Sequence, residues 1–132
     1  MIAQAKNLQD KILDIKYGRV KEGLKIGVPE IDEHIRFKKN LLIAIGHANV
    51  GKTTTLIYFY VLWAKIHKLR FLIWSSENTP ESILRKIIEF YMGKPIQQAN
   101  DKEINLAVNW SDNHFKIIEI EDLYSYKSLL KE

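Results

Sequence analysis

The sequence predicts an α/β fold with a mostly parallel sheet, and three observations carry that expectation. Short apolar runs at residues 41–45, 71–74 and 115–120 read as strands. Segments with helical spacing of apolar side chains alternate with them, the order that right-handed crossovers and parallel pairing require. A glycine-bounded loop, Gly46-His47-Ala48-Asn49-Val50-Gly51-Lys52-Thr53, stands where the first run gives way to a helix.

Ile2, Ala5, Leu8, Ile12 and Ile15 recur at helical spacing, so residues 2–16 are expected to form an amphipathic helix. Gly18, Gly23, Gly27 and Pro29 mark residues 17–29 as a linker, with a short helical turn at 30–35. Leu41-Leu42-Ile43-Ala44-Ile45 shows no polar alternation, the pattern of a strand buried on both faces. A dense apolar helix follows over residues 52–67, then a second buried strand, Phe71-Leu72-Ile73-Trp74.

Thr79 can cap a helix with Pro80 in its first position. Ile83, Leu84, Ile87, Ile88 and Tyr91 give that helix its apolar face, and Gly93 can stop it. Asn100 and Glu103 have capping-box spacing for a helix reaching about residue 110. Phe115-Lys116-Ile117-Ile118-Glu119-Ile120 reads as a third strand, and a last helix is expected near Tyr124.

The chain has 132 residues, 46% hydrophobic and 27% charged, a balance that excludes a disordered protein. Its net charge of +4 suits a nucleotide or nucleic-acid partner without requiring one. The basic surplus gathers in residues 1–80, around the glycine-bounded loop. Cysteine is absent, which removes disulfides, thiolate metal sites and cysteine nucleophiles. Residues 1–7 lack the apolar core of a signal peptide. The greasiest stretch, residues 56–64, is too short for a bilayer that needs ~20 apolar residues. No membrane association is expected.

The loop matches G-x-x-x-x-G-K-[ST] at every fixed position and has a predicted strand before it and a helix after it. Residue frequencies give such a match roughly one chance in a few hundred for a chain of this length, which favours a phosphate-binding loop over a plain glycine turn. Gly46 and Gly51 let the backbone turn tightly, and the amides of His47, Ala48, Asn49, Val50 and Gly51 can meet phosphate oxygens. Lys52 supplies a point charge for the β- and γ-phosphates, and the Thr53 hydroxyl can complete a Mg²⁺ shell of water and phosphate. Thr54 and Thr55 can assist, although packing at a helix start explains them equally well.

Glu77 follows the second strand, in Trp74-Ser75-Ser76-Glu77-Asn78. Ligands of open α/β sheets bind at the carboxyl ends of the strands, so Glu77 is expected on the same edge as the loop. A carboxylate there can orient and deprotonate a water that attacks a γ-phosphate. Favourable charge at a helix entry explains the same residue.

Gly23-Leu24-Lys25-Ile26-Gly27-Val28-Pro29-Glu30-Ile31-Asp32 resembles the lead-in of RecA-like ATPases, especially DnaB-type replicative helicases. Residues 71–78 resemble that family's second strand, which ends in Ser-x-Glu. The resemblance covers residues 23–132 and implies a three-layer P-loop NTPase core, incomplete in this chain, preceded by a helix and linker at 1–22. It implies that Glu77 is the catalytic glutamate acting with Lys52, that ATP and Mg²⁺ are the cofactors, and that the function is ATP-driven movement on DNA during replication. It further implies a homo-oligomeric ring, single-stranded DNA as a partner, and a cytoplasmic setting in a bacterium or, for a phage protein, in its host.

The sequence departs from the family pattern in four places. Asn78 stands where the family has Met, and the arginine of the next helix falls ambiguously at Arg85 or Lys86, both read as surface residues. Asp122 and Glu121 are weak candidates for the Walker B carboxylate, because their strand better matches the one preceding Walker B. The family's arginine finger and DNA-contacting loops are missing, so these 132 residues alone are expected to hydrolyse ATP negligibly. The alternative is a non-hydrolysing nucleotide-binding or interaction module that regulates a full-length ATPase. A plain DNA-binding protein would rest on Lys38-Lys39 alone. His34, His47, His67 and His114 show no ligand spacing, and Trp63, Trp74 and Trp110 are expected in the core.

Overall fold

In the computed structural model, residues 5–19, 23–38 and 41–119 are described, and they fall into two compact units, residues 1–41 and 42–132. Ile120, Glu121, Asp122 and the helix expected near Tyr124 lie outside the described residues.

In the first unit, a 3₁₀ turn at Ala5–Leu8 runs into helix α1 (Gln9–Lys16), within the span expected to be helical. Its apolar side is not covered, with Ile12 and Ile15 exposed. The lead-in segment is held by Asp32, at the end of the short helix α2 (Pro29–Asp32). Its carboxylate accepts from the backbone N–H groups of Ile26 at 2.6 Å and Gly27 at 2.9 Å, and Ile26 is fully buried. An antiparallel bridge joins Leu24 to Phe37. A Cβ at Gly23 would stand 2.7 Å from the Phe37 carbonyl oxygen, so only glycine fits beside that bridge.

In the second unit, helix α3 (Lys52–His67) spans the range its apolar density predicts. Strand β1 (Phe71–Trp74) follows. The Thr79 hydroxyl accepts from the Ser82 N–H and Pro80 opens helix α4 (Pro80–Met92), which Gly93 closes in the left-handed region. Asn100 and Glu103 form the full capping box of helix α5 (Asp101–His114). Strand β2 (Phe115–Ile118) pairs parallel to β1, with Phe71 opposite Phe115 and Trp74 opposite Ile118. The unit is therefore mixed α/β with a small parallel sheet.

The core lies between this sheet and the helices. Ile57, Val61 and Ala64 of α3, Ile83 and Ile87 of α4, and Phe115 of β2 form one buried cluster. Phe71 stacks on Phe115 at 5.4 Å between ring centroids, and Tyr91 stacks on Trp110 at 4.2 Å. Burying each large aliphatic side chain contributes ~1.5–3 kcal/mol, so this cluster holds α3, α4 and the sheet together.

Three expectations are corrected. Residues 41–45 form no strand, and Leu41, Ile43 and Ile45 are 87%, 70% and 91% exposed. A parallel strand needs a ladder partner and a covering layer; the sheet among the described residues holds β1 and β2 alone, and the exposed run at 41–45 has neither. Strand β1 is covered on one face only: Phe71 and Ile73 pack on the core, whereas Leu72 and Trp74 are exposed. Trp74 thus leaves the core set, while Trp63 is buried and Trp110 packs against the cluster. No helix among the described residues is long and apolar enough to cross a membrane.

Candidate phosphate-binding cleft

Gly51 sets the geometry of the loop. Its φ of +85° lies in the left-handed region, which glycine enters without steric cost, and it serves as the N-cap of α3. Asn49 also has a positive φ, 59°, tolerable because its short polar side chain suits that region. The Thr55 N–H donates to the Gly51 carbonyl at 2.9 Å, beginning the helical ladder. No side chain caps the first turn of α3, and that turn carries no acidic residue. Its leading N–H groups and the positive end of the helix dipole are therefore open to an anion.

Lys52 folds back over the loop. Its Nζ donates to the carbonyl oxygens of Gly46 at 2.8 Å and His47 at 2.5 Å. The ammonium is thereby held where the loop turns.

Across the cleft, Ser75 organises the turn that follows β1. Its hydroxyl oxygen accepts from the N–H groups of Glu77 at 3.3 Å and Asn78 at 3.0 Å, and from the Asn78 side-chain amide at 3.3 Å. This fixes the backbone from which the Glu77 carboxylate projects. At the start of α4, the Glu81 carboxyl lies below its usual range, because its own backbone N–H and the Thr79 hydroxyl donate to it.

These elements enclose a cleft of about 550 Å³ lined by Ala48, Asn49, Gly51, Lys52, Thr53, Thr54, Glu77, Asn78 and Lys86. Ligand clefts commonly hold ~300–1,000 Å³. The structure thus brings most of the predicted loop residues together with Glu77. Gly46, His47 and Val50 are not in the lining: the first two turn their carbonyls to Lys52, and Val50 is exposed.

Sequence reasoning missed two lining residues, Asn78 and Lys86. Of the ambiguous pair, Arg85 is an exposed residue whose Nε pairs with Glu89 at 3.0 Å, as expected, whereas Lys86 reaches the cleft. No signal in the sequence separates these two neighbours; the rotation of α4 against the cleft does.

The donors fit a hard cation carried by phosphate. Thr53 and Thr54 offer hydroxyl oxygens, and Mg²⁺ prefers few protein oxygens together with water and phosphate. Among the described residues, no group of three His, Cys, Asp or Glu side chains could hold a metal without such a ligand.

His114 accounts for itself structurally, with Nδ1 at 3.0 Å from the Leu69 carbonyl oxygen. No family model matches the chain, and no curated protein or solved structure gives a significant match.

Proposed function

We propose that this chain binds Mg²⁺-ATP or Mg²⁺-ADP through residues 46–53 and is the ATP-binding part of a RecA-like motor ATPase of the replicative DNA helicase type. One observation carries the reading. A left-handed glycine, a lysine and a threonine at the uncapped start of a long helix share a cleft with a carboxylate from the turn after the neighbouring strand.

Each group has a defined task in that reading. Lys52 exchanges the carbonyls of Gly46 and His47 for β- and γ-phosphate oxygens, a stronger, charge-assisted pairing. The amides at the start of α3 donate to the same phosphates. Thr53 would hold a magnesium ion through its hydroxyl, and such an ion would supply charge that offsets the phosphates. Glu77, on its Ser75-anchored turn, accepts a proton from water aligned with the γ-phosphate. The larger three-layer sheet, a subunit ring, single-stranded DNA and a cytoplasmic setting belong to the same proposal and rest on the family resemblance.

Isothermal titration with Mg²⁺-ATP tests the nucleotide claim. Lys52→Ala should weaken binding by at least about tenfold, ~1.4 kcal/mol. Equal affinity in both proteins would rule the loop out as the phosphate site. The non-hydrolysing alternative predicts the same binding, and negligible phosphate release from these 132 residues is expected on both readings.

A further inference from the structure

We propose that the free edge of strand β1 is a docking surface for residues 42–45 of a second copy of this chain, two copies exchanging these runs reciprocally. The surface lies beside the phosphate-binding cleft, and its use needs no nucleotide. Among the described residues the sheet holds two strands, so β1 pairs with β2 on one side and has no ladder partner on the other. A groove of about 360 Å³ runs there, lined by all four residues of β1 and by Leu56, Ile57 and Tyr60 of α3. Successive side chains of a strand point to opposite faces, so a groove touching four in a row follows the strand's edge rather than one face. Such an edge presents N–H and C=O groups that a further strand can pair with.

The same chain carries a segment that fits this edge. Residues 42–45 are Leu, Ile, Ala and Ile, as many as β1 has, with Leu42, Ile43 and Ile45 52%, 70% and 91% exposed. They form no helix or strand, and no backbone hydrogen bond ties them to another described residue. Apolar side chains and an unpaired backbone are both satisfied by joining an apolar sheet edge. Leu72 and Trp74, on the exposed face of β1, extend the apolar surface that the incoming run would meet.

The occupant follows from self-complementarity. One chain holds both a free apolar run and a free apolar edge, and the run is exposed rather than seated on its own edge. Two copies related by a two-fold axis fill both edges at once, which is the closed, isologous arrangement that exchange of an identical element gives. Exchange of this kind depends on concentration, and in a dilute chain the run stays exposed.

Disulfide trapping tests this cleanly, because the chain has no cysteine of its own. Single variants Ile43→Cys and Ala44→Cys, which lie on opposite faces of an extended run, are each mixed with Leu72→Cys or with the control Leu106→Cys under mild oxidation. All four positions are exposed, so the buried core is untouched, and Leu106 lies on α5 outside the groove. A mass tag on the residue 43 or 44 variant separates mixed products from like pairs on a non-reducing gel. One of the two should couple to Leu72→Cys at least about tenfold more than the other does, and more than either couples to Leu106→Cys. The matching double variant should run as a covalent dimer. Coupling no stronger to Leu72→Cys than to Leu106→Cys, equal coupling from residues 43 and 44, or a disulfide closed within a single chain of the double variant would each overturn the inference.

Discussion

Glu77 and Thr53 line one cleft although they belong to different elements, one on the turn after β1 and the other in the first turn of α3. If the cleft takes a phosphate as proposed, the Glu77 carboxylate opposes that binding through like-charge repulsion. Glu77→Gln should therefore strengthen Mg²⁺-ATP binding by about two- to tenfold and suppress any phosphate release. Weaker binding in titration would show that Glu77 holds the ligand directly.

The core offers a test independent of function. Ile87 is fully buried, within the cluster that joins α3, α4 and β2. Ile87→Ala should cost about 2–5 kcal/mol in urea unfolding, through lost burial and the cavity left behind. A loss under ~1 kcal/mol would mean that α4 does not pack as described.

Two carboxylates make stability depend on pH. Lys94 donates to Glu103 at 2.6 Å and the Asn100 N–H at 2.9 Å, and together they hold this carboxyl below its ordinary value of 4.5. The Ile96 N–H and, to a lesser degree, Arg85 act on Glu89 in the same direction. A lowered folded-state pKa stabilises above the unfolded value, and that stabilisation is lost as pH falls through the folded value. The melting temperature of Glu103→Gln should therefore lie below wild type at neutral pH and converge with it well below pH 4.5. A difference that stays constant with pH would contradict the assignment.

Residues 41–45 make a prediction about association. Ile43 and Ile45 are 70% and 91% exposed, and contiguous apolar surface of this kind favours self-association. Replacing both by Ser should change stability by less than ~0.5 kcal/mol per site, as at ordinary surface positions, and lower the mass measured by light scattering. A loss of several kcal/mol would show that the run is buried as a strand.

The contrast between residues 52–118 and residues 41–45 shows what the sequence makes legible. Thr79, Pro80, Gly93, Asn100 and Glu103 act within a few residues of themselves, and the helix ends they set were readable one by one. An apolar run states only that a segment seeks burial. Its partner is a long-range choice, so residues 41–45 and the open face of β1 were not predictable from local pattern. Helix α5 runs past the expected stop near Trp110 to His114, and Ser111 in that last turn is 2% exposed. The 3₁₀ turn at Ile96–Gln98 depends on Glu89 accepting the Ile96 N–H, a contact set by tertiary approach. At the site, the loop was legible because its chemistry is contiguous. Lys86 was not, because neighbouring Arg85 and Lys86 look alike until the helix is rotated against the cleft.

Phosphate binding by the amides and side chains of residues 46–53, as proposed, can be read residue by residue. Amide chemical shifts recorded by NMR as Mg²⁺-ADP is added test it most directly, because they report the place of binding as well as its strength. The largest shifts are expected on residues 48–54, with smaller ones at Glu77 and Asn78, and Lys52→Ala should remove them at the same ligand concentration. Absent shifts, or shifts centred away from this cleft, would contradict it.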